Sequence, residues 1–148
     1  MKLTLAVLCV FIASSSKVIA RSVPKTYLEP LDLHCLPKID KSGLDYNEKG
    51  YIAEGNDDVN EMVRCSWSKI GLLRENGEID LYKLQRTLEN HLVDMYDNYV
   101  RTYLAAKTIS DCENVKGDSV GDTCVKMSNC IHTRVEVNAQ RLKEEKED

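Results

Sequence analysis

Cysteine offers the widest chemistry in this chain, since a thiol can pair with another thiol, bind a soft metal or attack a substrate. The sequence holds six. Cys9 sits in an apolar N-terminal run, and the others are Cys35, Cys65, Cys112, Cys124 and Cys130. Cys65 is isolated, its nearest neighbour Cys35 being 30 residues away. The three histidines, His34, His91 and His132, are widely spaced and make no H-x-x-x-H or C-x-x-H pattern. No G-x-S-x-G, Walker loop or zincin motif accompanies them. "DYNEKG" (45–50) has the start of a calcium loop, but Lys49 falls on a ligand position and Asn56 stands where a closing Glu is required. The chain therefore reads as a non-enzyme, with no catalytic residue, no metal site and no cofactor. It also lacks an N-x-S/T glycosylation sequon.

The remaining chemistry is pairing, and compartment decides whether it occurs. Lys2, the apolar run "LTLAVLCVFIA" (3–13) and the small residues Val18 and Ala20 have the form of a signal peptide over residues 1–20. The run is too short for a stable membrane span, and no second apolar stretch of spanning length follows. The expectation is a secreted, extracellular protein of residues 21–148, one domain with one core. Loss of Lys2 and Lys17 with the leader lowers Lys+Arg from 20 to 18 against 24 Asp+Glu, a net charge of −6. An acidic chain without a basic cluster excludes nucleic acid as a partner. "RLKEEKED" (141–148), dense but mixed in sign, reads as a solvated helix end. In an oxidising compartment the five remaining cysteines should pair where geometry permits, and an odd number leaves one over.

The elements that must position them are helical. Alternating strand patterns are weak, whereas apolar residues recur at steps of three and four through most of the chain. Pro30 opens a short helix through Cys35 and Pro37 stops it. The stretch 38–58, broken by Gly43, Gly50 and Gly55, holds one short helix between loops. A central helix begins at Asp58 with Asp57 or Asp58 as N-cap. Its apolar residues Met62, Val63, Cys65, Trp67, Ile70, Leu72 and Leu73 cover more than half its circumference, which places it mid-domain. "ENG" (75–77) turns the chain and Asp80 caps the next helix. Leu81, Leu84, Leu88, Leu92, Met95, Tyr99, Tyr103 and Ala106 form the cleanest stripe, with a break expected near 94–98. The last helix runs from Asp122 to Lys143 with Cys124, Met127, Ile131, Val135 and Leu142 near one face.

These residues resemble the insect odorant-binding proteins of the pheromone-binding and general odorant-binding type. "CSWSKIGLLRENGEID" (65–80) is similar to the segment that follows their third cysteine. Cys35 then matches the first cysteine, Cys112 the fourth, Cys124 the fifth and Cys130 the sixth. The second is missing, because Glu61 occupies its place one turn before Cys65. Only five residues separate Cys124 from Cys130, where the family has eight. A competing register, with Cys65 as second cysteine and Lys69 in place of the third, would misplace Gly71 and the turn.

The resemblance implies an all-α fold, a compact disulfide-linked bundle of about six short helices around a hydrophobic cavity. It implies the pairs Cys35–Cys65 and Cys112–Cys130 and leaves Cys124 a free thiol, with Cys112–Cys124 as the competing bond. It also implies a carrier of small hydrophobic or amphipathic molecules such as odorants or pheromones, with a chemosensory receptor as a further partner. The ligand-binding residues would be Trp67, Ile70, Leu84, Leu88, Leu92, Met95, Tyr99, Tyr103, Met127 and Ile131. Tyr96, Tyr99 and Tyr103 crowd one stretch, and buried phenols need hydrogen-bond partners, so the pocket should prefer an alcohol, aldehyde or ester. Charging of His91 or His34 in mildly acid surroundings would give pH-dependent release. The alternative is a secreted interaction protein of a reproductive or salivary fluid, on the same fold without a working pocket.

Overall fold

The computed structural model describes Cys35 and residues 51–145 of the 148-residue chain. Four helices occupy them: α1 (Asp57–Lys69), α2 (Leu81–His91), α3 (Asn98–Cys112) and α4 (Val120–Glu144). The leader, the helix after Pro30 and the part of 38–58 before residue 51 lie outside the described residues, and with them the two further helices expected there. Among the described residues the only β pairing is one isolated antiparallel bridge, Leu73 to Ile79, across the turn that links α1 to α2.

Each helix starts where a short polar side chain can satisfy its free N–H groups. Asn56, not Asp57 or Asp58, caps α1: its Oδ1 accepts from Asp58 N at 3.0 Å and Val59 N at 3.2 Å. The two aspartates fall instead in the first turn, where their charge suits the positive end of the helix dipole. Asp80 caps α2, accepting from Lys83 N at 3.1 Å. Asp97 caps α3, accepting from Val100 N at 3.0 Å. Ser119 caps α4 through Asp122 N at 3.1 Å, so that helix begins two residues before Asp122.

The exit from α1 depends on a glycine. Gly71 has φ +74°, a left-handed conformation that costs a Cβ-bearing residue energy. With Gly71 there, Leu72 N reaches Trp67 O at 2.9 Å and Gly71 N reaches Ser68 O at 3.0 Å. This paired closure brings Leu72 back beside Trp67, and both are buried.

The break between α2 and α3 falls at 92–97, as the length of the stripe predicts. It has a further effect: the apolar face changes phase. On α2 the inward row is Leu84 and Leu88, continued by Leu92 just past its end. On α3 it is Leu104, Ala105, Thr108, Ile109 and Cys112. Tyr99, Tyr103 and Ala106, which continue the α2 stripe in sequence, are exposed. A new helix axis begins at Asp97, so counting in threes and fours from Leu92 no longer finds the buried side.

Among the described residues α4 is the central element, packing against both α1 and α3, while α2 packs on α3. The inward row of α4 (Cys124, Met127, Ile131, Val135) has the expected period, and Val125 and Ala139 widen it. Asn129 binds the preceding segment to this helix. Its Oδ1 accepts from Ile52 N at 2.8 Å, and its Nδ2 donates to Ile52 O and Glu54 Oε1, each at 2.9 Å.

α1 and α4 approach each other tightly at Gly121. A Cβ there would lie 2.4 Å from the Asn60 carbonyl oxygen and 2.6 Å from its carbon, both backbone atoms with no freedom to rotate away. Gly121→Ala must therefore move one helix off the other. The expected cost is about 1–3 kcal/mol, despite alanine's better helix propensity. A lower urea midpoint with unchanged helical circular dichroism checks it, and a stabilised variant would contradict the packing.

Candidate ligand-binding site

The cysteines define the frame of the site. Cys35 bonds to Cys65 and Cys112 bonds to Cys130, while Cys124 is free and buried. Cys65 thus ties the N-terminal part of the chain to α1, and Cys112 ties the end of α3 to the middle of α4. Glu61, on the turn before Cys65, is exposed and forms an ion pair with Arg64, whose Nε donates to it at 2.7 Å.

Burial pushes the Cys124 thiol up to about 12, with Arg64 opposing the shift only in part. An unfolded thiol titrates near 9, so the fold favours the protonated form. That preference is complete below about pH 9 and is lost as pH rises toward 12. Iodoacetamide near pH 8.5 is therefore expected to leave the native, non-reduced protein unlabelled and to label Cys124 once the chain is unfolded. Rapid native labelling would mean that the thiol is open to solvent.

The ten residues expected to line a ligand site are not brought to one surface. Trp67, Leu84, Leu88, Leu92, Met127 and Ile131 are core residues with at most 1% of their surface exposed. At such values they are closed off from solvent. Ile70, Tyr99 and Tyr103 are instead 45%, 81% and 43% exposed. Ile70 lies past the last residue of α1, and both tyrosines lie on the outer face of α3 created by the phase change.

Met95 lines a real hollow, of about 190 Å³, where the α2–α3 connection meets the last turns of α4. Val100, Ala139 and Leu142 supply further apolar surface, and Tyr96, Asp97 and Lys143 supply polar groups. Tyr96 is half-buried, which pushes its hydroxyl up from the ordinary phenol value. Asp97 already serves as the α3 cap. Val100 is the signal that the stripe from α2 concealed. Counted from the Asp97 cap, Val100, Leu104, Thr108 and Cys112 follow at steps of four and lead from the hollow into the core.

A second, polar cleft of about 670 Å³ lies between the starts of α1 and α4, with Glu54, Asp57, Asp118, Asp122 and Lys126 around it. Asp122 is held below the usual carboxylate range by Lys126, 2.8 Å away, and by the Asp118 N–H. The acids here serve two helix N-termini. Among the described residues no group of three or more His, Cys, Asp or Glu side chains could hold a metal ion.

His91 is the last residue of α2, and partial burial holds its imidazole below the ordinary histidine range. It therefore charges only in more acid surroundings than an open histidine would. His34 lies outside the described residues. No helix among the described residues is long and apolar enough to cross a membrane.

The described residues thus form a small helical domain, cross-linked by disulfides, with a hollow at one end. The PBP/GOBP profile matches residues 25–134, and the chain belongs to that family of insect odorant- and pheromone-binding proteins. Its members are non-enzymatic carriers of small hydrophobic ligands. No curated protein and no solved structure matches the chain.

Proposed function

We propose that this protein is a secreted carrier of small hydrophobic or amphipathic molecules of the odorant or pheromone kind, and that it holds them in the hollow beside Met95 and Val100. The hollow is the observation that carries the reading. An engineered apolar cavity of about 150 Å³ can take up benzene, and this one, at about 190 Å³, is somewhat larger. Its mixed lining suits a molecule with an apolar body and one polar end. In this reading Trp67, Leu84, Leu88, Leu92, Met127 and Ile131 hold the frame rigid, and Met95 is the residue of the expected set that touches ligand. The apolar leader and the two disulfides support secretion.

Native mass spectrometry of protein purified from its source tests the proposal. The expected result is a population carrying a bound small molecule, together with uptake of the apolar dye Nile red by the stripped protein. A bare protein that takes up no dye would instead favour a secreted interaction protein on the same helical frame.

A further inference from the structure

Within that carrier reading, on which this inference rests, we propose that Asn138 sets the width of the hollow, and so the longest ligand chain that fits, by tying the end of α4 to α3. It is a positioning residue and lies outside the hollow's own lining.

α3 and α4 run antiparallel, and their contacts follow in order along the pair. Cys112 bonds to Cys130, Asp111 and Thr108 meet Asn138, and Val100 shares the hollow with Ala139 and Leu142. The disulfide therefore pins one end of the pair and the hollow occupies the other. Asn138 stands between them, about 12 Å along α4 from Cys130 and about 6 Å before Leu142, at 1.5 Å per residue.

The tie itself is enclosed. Asn138 is 3% exposed and Thr108 exposes nothing. The Asn138 Nδ2 donates to Asp111 Oδ2 at 3.1 Å and to Thr108 Oγ1 at 3.4 Å. Lys107 and Asn138 hold the Asp111 carboxyl below the usual carboxylate range, so it stays ionised and can only accept. Hydrogen bonds to an ionised acceptor are stronger than neutral ones.

Beyond Asn138, among the described residues, no side chain of α4 hydrogen-bonds to another helix; Gln140 bonds to Glu144 of the same helix. Ala139 and Leu142 line the hollow and are held across it by apolar contact, which is not directional. The last directional bond thus fixes where the end of α4 stands. Without it α4 can tilt about the disulfide. Leu142 lies about 18 Å along the helix from Cys130, so a tilt of about 10° moves it by about 3 Å. With the tie in place the volume is about 190 Å³, against the roughly 150 Å³ that takes up benzene, and suits a chain of about eight heavy atoms.

Isothermal titration calorimetry of the intact, disulfide-bonded chain with hexanol, octanol, decanol and dodecanol tests this. Wild-type affinity is expected to rise about fourfold per added methylene up to octanol, and to gain less than about twofold in total beyond it. Asn138→Leu keeps the volume of the side chain and removes its donor, and the rise should continue to decanol or dodecanol. Asp111→Ala removes the partner on α3 and should do the same; it decides the question alone if Asn138→Leu does not fold. Gly121→Ala, at the far end of α4, is the control for general loosening. It should lower the urea midpoint and leave the limit at octanol.

A limit that stays at octanol in the variants of the tie would overturn the inference and leave the carrier reading standing. So would a limit that moves as far in Gly121→Ala, or wild-type affinity that climbs evenly to dodecanol. Wild-type protein that binds none of the four alcohols removes both.

Discussion

Replacing both Cys35 and Cys65 by serine is expected to destabilise the protein by about 3–4 kcal/mol and to lower its unfolding temperature by roughly 10–15 °C. The bond closes a loop of 30 residues, and in the chain-entropy description its main effect is to restrict the unfolded chain. It also joins the part of the chain around Cys35 to α1, whose own buried residues include Val59, Met62, Val63 and Trp67. Opening Cys112–Cys130, whose ends are 18 positions apart in sequence, should cost slightly less, because loop entropy grows only slowly with length. The double serine variant keeps Cys124 as the only thiol of the expected mature chain and so avoids mispairing. Thermal and urea unfolding of the variant beside the parent would measure the effect. A loss under about 1 kcal/mol would mean that the two ends are held together by packing alone.

Leu88→Ala is the second large effect, about 2–5 kcal/mol. Leu88 lies in the middle of α2's inward row, between Leu84 and Leu92, and none of the three exposes any surface. Truncation there removes buried methyl groups and leaves a void that the surrounding helices close only in part. The same variant examines how the interior is filled. In a packed core the new void should be dry and apolar, and it should bind benzene or xenon that the parent does not bind at that position. A parent that already takes up xenon beside Leu88 would reveal a second chamber in the centre of the protein, distinct from the hollow at Met95. Chemical-shift or crystallographic detection of the gas gives the answer directly.

Local signals in this chain are read within one or two helical turns, and most of them translate directly into structure. Asp80 and the break at 94–98 are legible because capping and helix length are properties of neighbouring residues. The end of α1 is not: the apolar count carries the helix on through Leu72 and Leu73 to the turn at 75–77, whereas the left-handed Gly71 ends it at Lys69 and returns Leu72 to Trp67. Even the one misplaced cap, Asn56 instead of Asp57, is a choice between adjacent residues with nearly equal capping power. The resemblance supplied the cysteine partners, since distance along the chain alone could not choose among them. Tyr99 and Tyr103 went to the surface for a different reason. Their spacing continues the row of α2, but the side a helix buries is set by the partner it packs against, and α3 packs on α4 as well as on α2.

By itself the amino-acid sequence determined the all-helical class, the approximate course of the four described helices, the Asp80 cap, and the family to which the chain belongs. These rest on short-range backbone preferences and on a cysteine pattern carried along one chain. The tertiary structure alone decided that Leu84, Leu88 and Leu92 are enclosed, that α3 turns its tyrosines outward, and that open volume lies between Tyr96 and Lys143. Volume is a property of several elements together. Whether apolar side chains fill a space or surround one depends on the angle and separation at which helices distant in sequence finally meet.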